Sequence, residues 1–120
     1  MRDVSTLLSA EDRKLVTLAR ATRARTGAAE GAAVRDENGR TYAAATVDLP
    51  SLQLSALEVC VAMALASGSR GLEAAVVLTE AESIAGLAAA ADLAGPGLVV
   101  HLGDVAGRQL RSGTAGAPPA

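Results

Sequence analysis

Residues 52–68, LQLSALEVCVAMALASG, constrain this chain more than any other stretch. Leu54, Leu57, Val61, Ala64 and Leu65 recur at helical spacing, and Val59, Cys60 and Met63 fill the other faces. Gly68 supplies a C-terminal stop. A helix apolar on nearly every side is not a surface helix, so it must lie at the centre of the molecule, covered by other elements. The covering material is small and aliphatic. The 120 residues include 28 Ala and 16 Leu but one Tyr and no Phe or Trp.

The other segments arrange themselves around this helix. Ser9-Ala-Glu-Asp12 resembles a capping box and opens a helix over about Ala10 to Ala24, with Leu15, Leu18, Ala19 and Thr22 on one face. Arg20, Arg23 and Arg25 match the dipole at its end. Short apolar runs at Ala28–Arg35 and Thr41–Val47 flank Asp36-Glu37-Asn38-Gly39, and the Asn-Gly pair predicts a hairpin with two positive-φ turn residues. Pro50-Ser51 ends the return strand and introduces the central helix. Leu72–Thr79 reads as a strand covered on both faces. A third helix, capped at Ser83, runs to Gly95-Pro96-Gly97, and Leu98–Leu102 is a further strand. After a turn at residues 103–108 and a weak last strand, residues 113–120 read as a frayed tail, so a single domain spans 1–112. The order predicts an α/β fold, a mixed sheet with helices on its faces.

Composition excludes several functions. One Cys and one His, Cys60 and His101, do not make up a Cys/His zinc site within one subunit. One Tyr is no platform for stacking bases, and a net charge of −2 gives no general pull on nucleic-acid phosphates. The lone cysteine forms no internal disulfide. No apolar run reaches the ~18 residues of a membrane span, and MRDVSTLLSAEDRK carries no signal-peptide core. The expectation is a cytoplasmic protein without nucleic-acid or membrane partners. Ten of eleven basic residues are Arg, a bias of GC-rich bacterial genomes.

Three groups of residues resemble the small cytidine deaminases over roughly residues 15–110. Gly31-Ala32-Ala33-Val34 with Glu37-Asn38-Gly39-Arg40 is similar to that family's first hairpin. Ser55-Ala56-Leu57-Glu58 falls where the family has Cys-Ala-Glu-Arg at the start of its central helix. Ser83-Ile84-Ala85-Gly86-Leu87-Ala88 falls on Ser-Pro-Cys-Gly-x-Cys, and Val99 to Asp104 resembles the strand and turn beyond. The resemblance implies a three-layer α-β-α sandwich with a mixed sheet of four to five strands and a buried central helix. It also implies a homotetramer whose central helices pack together, so a dimer or tetramer is expected here.

The chemistry of those deaminases uses a zinc-activated water and a glutamate that shuttles protons without binding the metal. By the resemblance, the zinc ligands become Ser55, Ala85 and Ala88, and the shuttle becomes Leu57. The expectation is therefore a degenerate member with no catalytic residues, no metal site and no cofactor. Thr46-Val47-Asp48 stands at the family's ribose-binding Asn-x-Glu, and Ala28 replaces an aromatic that packs on the pyrimidine. Thr46, Asp48 and Ser55 are thus candidate vestigial substrate-binding residues, although Asp48 is equally explained as a turn residue capping the next helix. Glu58 sits one residue beyond the shuttle position, rotated by about 100° on a helix, and is read as solvated or interfacial. Cys60 is read as core, and His101 as a strand-end histidine with one hydrogen bond.

Three functions compete. The first is a non-catalytic, oligomeric interaction or scaffold protein. The second binds a nucleoside or similar small ligand in the ancestral pocket, with free amides at the helix N-terminus near Ser55 holding an oxygen-rich group. The third, an active zinc hydrolase, requires both motif alignments to fail.

Overall fold

The computed structural model describes Val4 and residues 7–120. The absence of a signal-peptide core concerns, in part, residues 1–3, 5 and 6, which lie outside the described residues. A five-stranded sheet runs in the order β2 (Thr41–Ala45), β1 (Gly31–Asp36), β5 (Leu72–Leu78), β6 (Val99–Gly103), β7 (Arg111–Thr114). Only β5 and β6 are parallel, so the sheet is mixed, as expected. Helix α1 (Ala10–Thr26) covers one face; α2 (Ala56–Ala66) and α3 (Leu87–Ala94) cover the other. This is the three-layer α-β-α arrangement.

On the α1 face, Leu15, Val16 and Ala19 pack on Ala33, Ala74, Val76 and Leu78. The helix approaches β1 so closely that a Cβ at Gly31 would meet the Ala19 carbonyl and, at 2.7 Å, Arg23 Cβ. Glycine is required there by contact, not by φ. On the other face Leu57, Cys60, Val61 and Ala64 of α2 pack on Ala32, Val34, Ala75 and Val77. Because these side chains are small, the layers can sit close without an aromatic residue.

Several expectations change in detail. The central helix starts at Ala56, not near Leu52, because residues 47–54 form a separate hairpin, β3 (Val47–Leu49) with β4 (Leu52–Leu54), turning at Pro50-Ser51. In the β1–β2 turn, Gly39 alone has positive φ (82°), and Asn38 does not. Asp36 directs this turn instead, its Oδ1 accepting from the amides of Asn38 and Arg40 at 2.9 Å each. Helix α3 begins at Gly86 with no side-chain cap, so Ser83 is not its N-cap. The boundary expected at 112 falls inside β7: Gly113 and Thr114 pair with Val100 and Val99. Beyond them, the amides of Ala115 and Gly116 donate to Leu98 and Pro96. Among the described residues no helix is long and apolar enough to cross a membrane.

Helix α1 is capped by Ser9, whose Oγ accepts from the Asp12 amide at 3.1 Å. The reciprocal half of a capping box is missing because the Asp12 carboxylate is committed elsewhere, to Arg35 and His101. His101 therefore makes two side-chain hydrogen bonds, to Asp12 and Ser112, where one was expected.

A candidate site at the joined helix N-termini

The N-termini of α2 and α3 meet. Gly86 (φ 97°) packs against α2 so tightly that a Cβ there would lie 2.8 Å from Ser55 Oγ and 2.9 Å from Glu58 Cγ. Beside this junction an open cleft of about 320 Å³ is lined by Thr46, Val47, Asp48, Gln53, Leu54, Ser55, Glu58 and Ala85. The three candidate residues Thr46, Asp48 and Ser55 thus share one cleft with Ala85. Leu57 does not reach it, being fully buried in the core under α2. Ala88 is exposed and is not a lining residue. Ala28 is also outside the lining, and its carbonyl receives Arg23 Nε at 2.8 Å.

Each polar group here already has work inside the chain. Ser55 Oγ accepts from the Glu58 amide and donates to the Ala85 carbonyl, both at 3.1 Å. Glu58 Oε1 in turn accepts from the Ser55 amide at 2.8 Å, completing a capping box. Glu30 Oε1 takes the Ala56 amide at 3.5 Å. The amides of Ser55, Ala56 and Glu58 therefore already donate to side chains. Thr46 Oγ1 accepts the Glu30 amide at 2.9 Å, which ties β2 to the start of β1. Asp48 is an exposed hairpin residue paired across to Gln53, with Gln53 Nε2 3.4 Å from its Oδ1, and it does not cap α2.

Glu30, Gln53 and Glu58 belong to this site although the sequence reading assigned them no part in it. For Glu58 the signal was present: Ser55-x-x-Glu58 is the capping-box spacing. Glu30 has no local signal, since only the pairing of β1 brings it to α2. Cys60 is fully buried, as expected, and burial pushes its thiol up to about 12.

A zinc ion needs anionic or imidazole donors. Ser55 offers a neutral hydroxyl already bonded at both ends, and Ala85 and Ala88 offer no donor side chain. Among the described residues no three His, Cys, Asp or Glu side chains converge. The residues present do not fit the metal.

Comparison with known proteins gives the architecture a context. The family described as cytidine deaminase-like matches residues 8–107. No curated protein matches the chain. Among solved structures, the cytidine deaminase from Burkholderia pseudomallei is similar with TM-score 0.77 and 24% identity, covering 91% of this chain and 94% of that one. The cytidine deaminase from Mycobacterium leprae follows at TM-score 0.68 and 18% identity, covering 89% and 95%.

Proposed function

Because the chain belongs to the cytidine deaminase-like family, we propose that it is a member without deaminase chemistry, acting through association rather than zinc hydrolysis. The observation that carries this reading is the junction of α2 and α3. Leu57, which the resemblance sets at the proton shuttle, is fully buried, and Ser55, which it sets at a zinc ligand, closes its hydrogen bonds on Glu58 and Ala85. Neither the Leu57 side chain nor the engaged Ser55 hydroxyl holds a zinc ion or carries a proton. Zinc analysis of the purified protein, with a cytidine absorbance assay, tests it. Substoichiometric zinc and unchanged absorbance are expected; one zinc per chain or turnover overturns it.

Association has its own support. The outer face of α2 is bare: Leu65 is 60% exposed, and Ala62 and Ala66 are exposed beside it. An apolar groove of about 290 Å³ between α2 and α3, lined by Val61, Leu65, Ala89, Asp92 and Leu93, continues this face. A helix of this composition gains by burying that face against a second copy. Light scattering at micromolar concentration should give a dimer or tetramer, and a stable monomer removes the association half of the reading.

The second reading is a small ligand, of the nucleoside type, in the cleft at Thr46, Asp48 and Ser55. One observation favours it: the cleft is open, and its volume lies at the lower end of the ~300–1,000 Å³ common for ligand sites. Thermal shift with cytidine and related nucleosides at millimolar concentration decides it, with no stabilisation counting against ligand binding.

A further inference from the structure

A second polar cluster lies where α1, β6 and β7 meet. His101 and Ser112 are direct cross-strand partners. The Ala115 amide donates to the Leu98 carbonyl, so 98/115 is a hydrogen-bonded pair. Alternation along an antiparallel ladder then makes 101/112 a non-hydrogen-bonded pair. Two consequences follow from this register. Side chains in such pairs stand closest, and Ser112 Oγ is 2.6 Å from His101 Nδ1. The Ser112 N–H points away from β6, on the far side of the last strand in the sheet order.

Across the ring, His101 Nε2 is 2.8 Å from Asp12 Oδ2, while Asp12 Oδ1 accepts from Arg35 Nη1 at 2.9 Å. Arg35 is held in turn by Glu73 at 2.9 Å. A carboxylate only accepts, so the hydrogen lies on Nε2; in the neutral ring Nδ1 is then bare and accepts the Ser112 hydroxyl. Burial acts to raise the Asp12 carboxyl, but hydrogen bonds from His101 and Arg35 outweigh it and hold the group below its ordinary value. Asp12 is therefore ionised at neutral pH. His101 is 4% exposed, whereas Ser112 is exposed.

We propose that Ser112 is an activated nucleophile, with His101 as its general base and Asp12 as a positioning residue, accepting the acyl group of small activated carboxylic esters. Carboxylate, imidazole and hydroxyl stand in the order that acyl transfer requires. The two ring nitrogens are exchanged relative to the common serine-hydrolase arrangement, yet each does the same work: one is held by the carboxylate and the other faces the hydroxyl. Ser112 Oγ adds to the ester carbonyl carbon while its proton passes to His101 Nδ1. The outward Ser112 N–H is placed to donate to the developing oxyanion. The bond to the leaving oxygen then breaks, that oxygen takes the proton from Nδ1, and the acyl group stays on Ser112. A water repeats the sequence to release a carboxylic acid and restore the hydroxyl. The exposed position on an outer strand suits a small acyl group reached from solvent.

The test is p-nitrophenyl acetate with the full chain, followed by peptide mass spectrometry. The expected result is a burst of p-nitrophenolate and acetylation of the peptide holding Ser112. Ser112→Ala is an exposed, isosteric change, and a folded circular dichroism spectrum with no burst is expected of it. Asp12→Asn should slow acylation by about a hundredfold with the KM for p-nitrophenyl acetate and the circular dichroism spectrum unchanged, a split that a purely structural aspartate does not produce. Acetylation at Lys14 in place of Ser112, a burst that survives Ser112→Ala, or no acylation of the folded wild-type chain overturns the proposal.

Discussion

The two polar clusters of this protein lie on opposite faces of one sheet and are built on opposite plans. At the α2–α3 junction the chain closes on itself: Ser55, Glu58 and Glu30 accept from the amides of Glu58, Ser55 and Ala56, and Ser55 also donates to Ala85. At the α1–β6–β7 junction the chain of hydrogen bonds runs from half-buried Arg35 and Asp12 through buried His101 and ends on Ser112, an exposed residue. The first cluster stands where the family resemblance places chemistry, and it has the character of a capped helix end. The second stands where the resemblance is silent, and it ends on an exposed residue. Correspondence to a family's motif therefore locates a place in the fold, while the hydrogen-bond inventory of that place decides what it can do.

The largest effect separating the two clusters should come from placing an acid at Leu57, the residue that the family resemblance sets at the proton shuttle. Leu57 is fully buried among Val34, Val77 and Cys60, so Leu57→Glu places a carboxyl in the core with no partner. We expect a loss of about 4 kcal/mol in urea denaturation, with no gain of cytidine turnover. A stable variant with its glutamate open to solvent breaks the description of this junction as closed.

On the opposite face, Asp12→Ala should cost about 3 kcal/mol, because it leaves Arg35 and His101 largely buried with their shared partner gone; the side chains are 17% and 5% exposed. The pH dependence has a definite sign. Asp12 and Asp36 both have carboxyls held below the ordinary value, Asp36 chiefly by the Ser69 hydroxyl at 2.7 Å. Their unfolded forms take up protons first as pH falls. Stability from these groups is present above about pH 4 to 5 and is lost progressively on acidification through and below the ordinary aspartate value of 3.8. Denaturation midpoints between pH 7 and 3 should fall, and the fall should be shallower in Asp12→Ala. An unchanged slope in that variant means Asp36 and other carboxylates dominate.

Ser55→Ala should cost about 1 kcal/mol, the usual worth of an N-cap, because it removes the partner of the Glu58 amide and the bond to Ala85. Its contrast with Asp12→Ala compares a helix cap with a charge network in one molecule. A cost near zero implies that Glu58 and Glu30 alone hold the end of α2.

How much of this was legible in the sequence depended on the range of the interaction. The layered fold and the central helix followed from local periodicity. Their edges did not: Leu52 and Leu54 fit both a helical stripe and a two-residue strand alternation, and only pairing with Val47 and Leu49 decides for the β3–β4 hairpin. The β1–β2 hairpin was visible in Asp36-Glu37-Asn38-Gly39, but its turn type depends on the Asp36 side chain bonding forward to Asn38 and Arg40. Of the two clusters, the capping box at Ser55 and Glu58 lies three residues apart and was readable. The partners Asp12 and His101 are 89 positions apart, and no local pattern joins them. Residues 113–120, glycine- and proline-rich, gain their order from backbone bonds to residues 96 and 98 that composition does not reveal.

The smallest stability effect belongs to Asp48, and it sharpens the comparison most cleanly. The residue is exposed, and its side chain makes one long contact, to Gln53 at 3.4 Å. Asp48→Ala should change the unfolding free energy by no more than about 0.5 kcal/mol. Folding therefore places little demand on a carboxylate at this position, and any demand comes from what enters the cleft. If cytidine raises the melting temperature of the wild type and Asp48→Ala abolishes that shift at unchanged stability, the carboxylate is a ligand contact, and the cleft retains a binding role that its closed amides do not supply. If neither protein responds, Asp48 is a hairpin surface residue, and its carboxylate serves neither folding nor a ligand in the cleft.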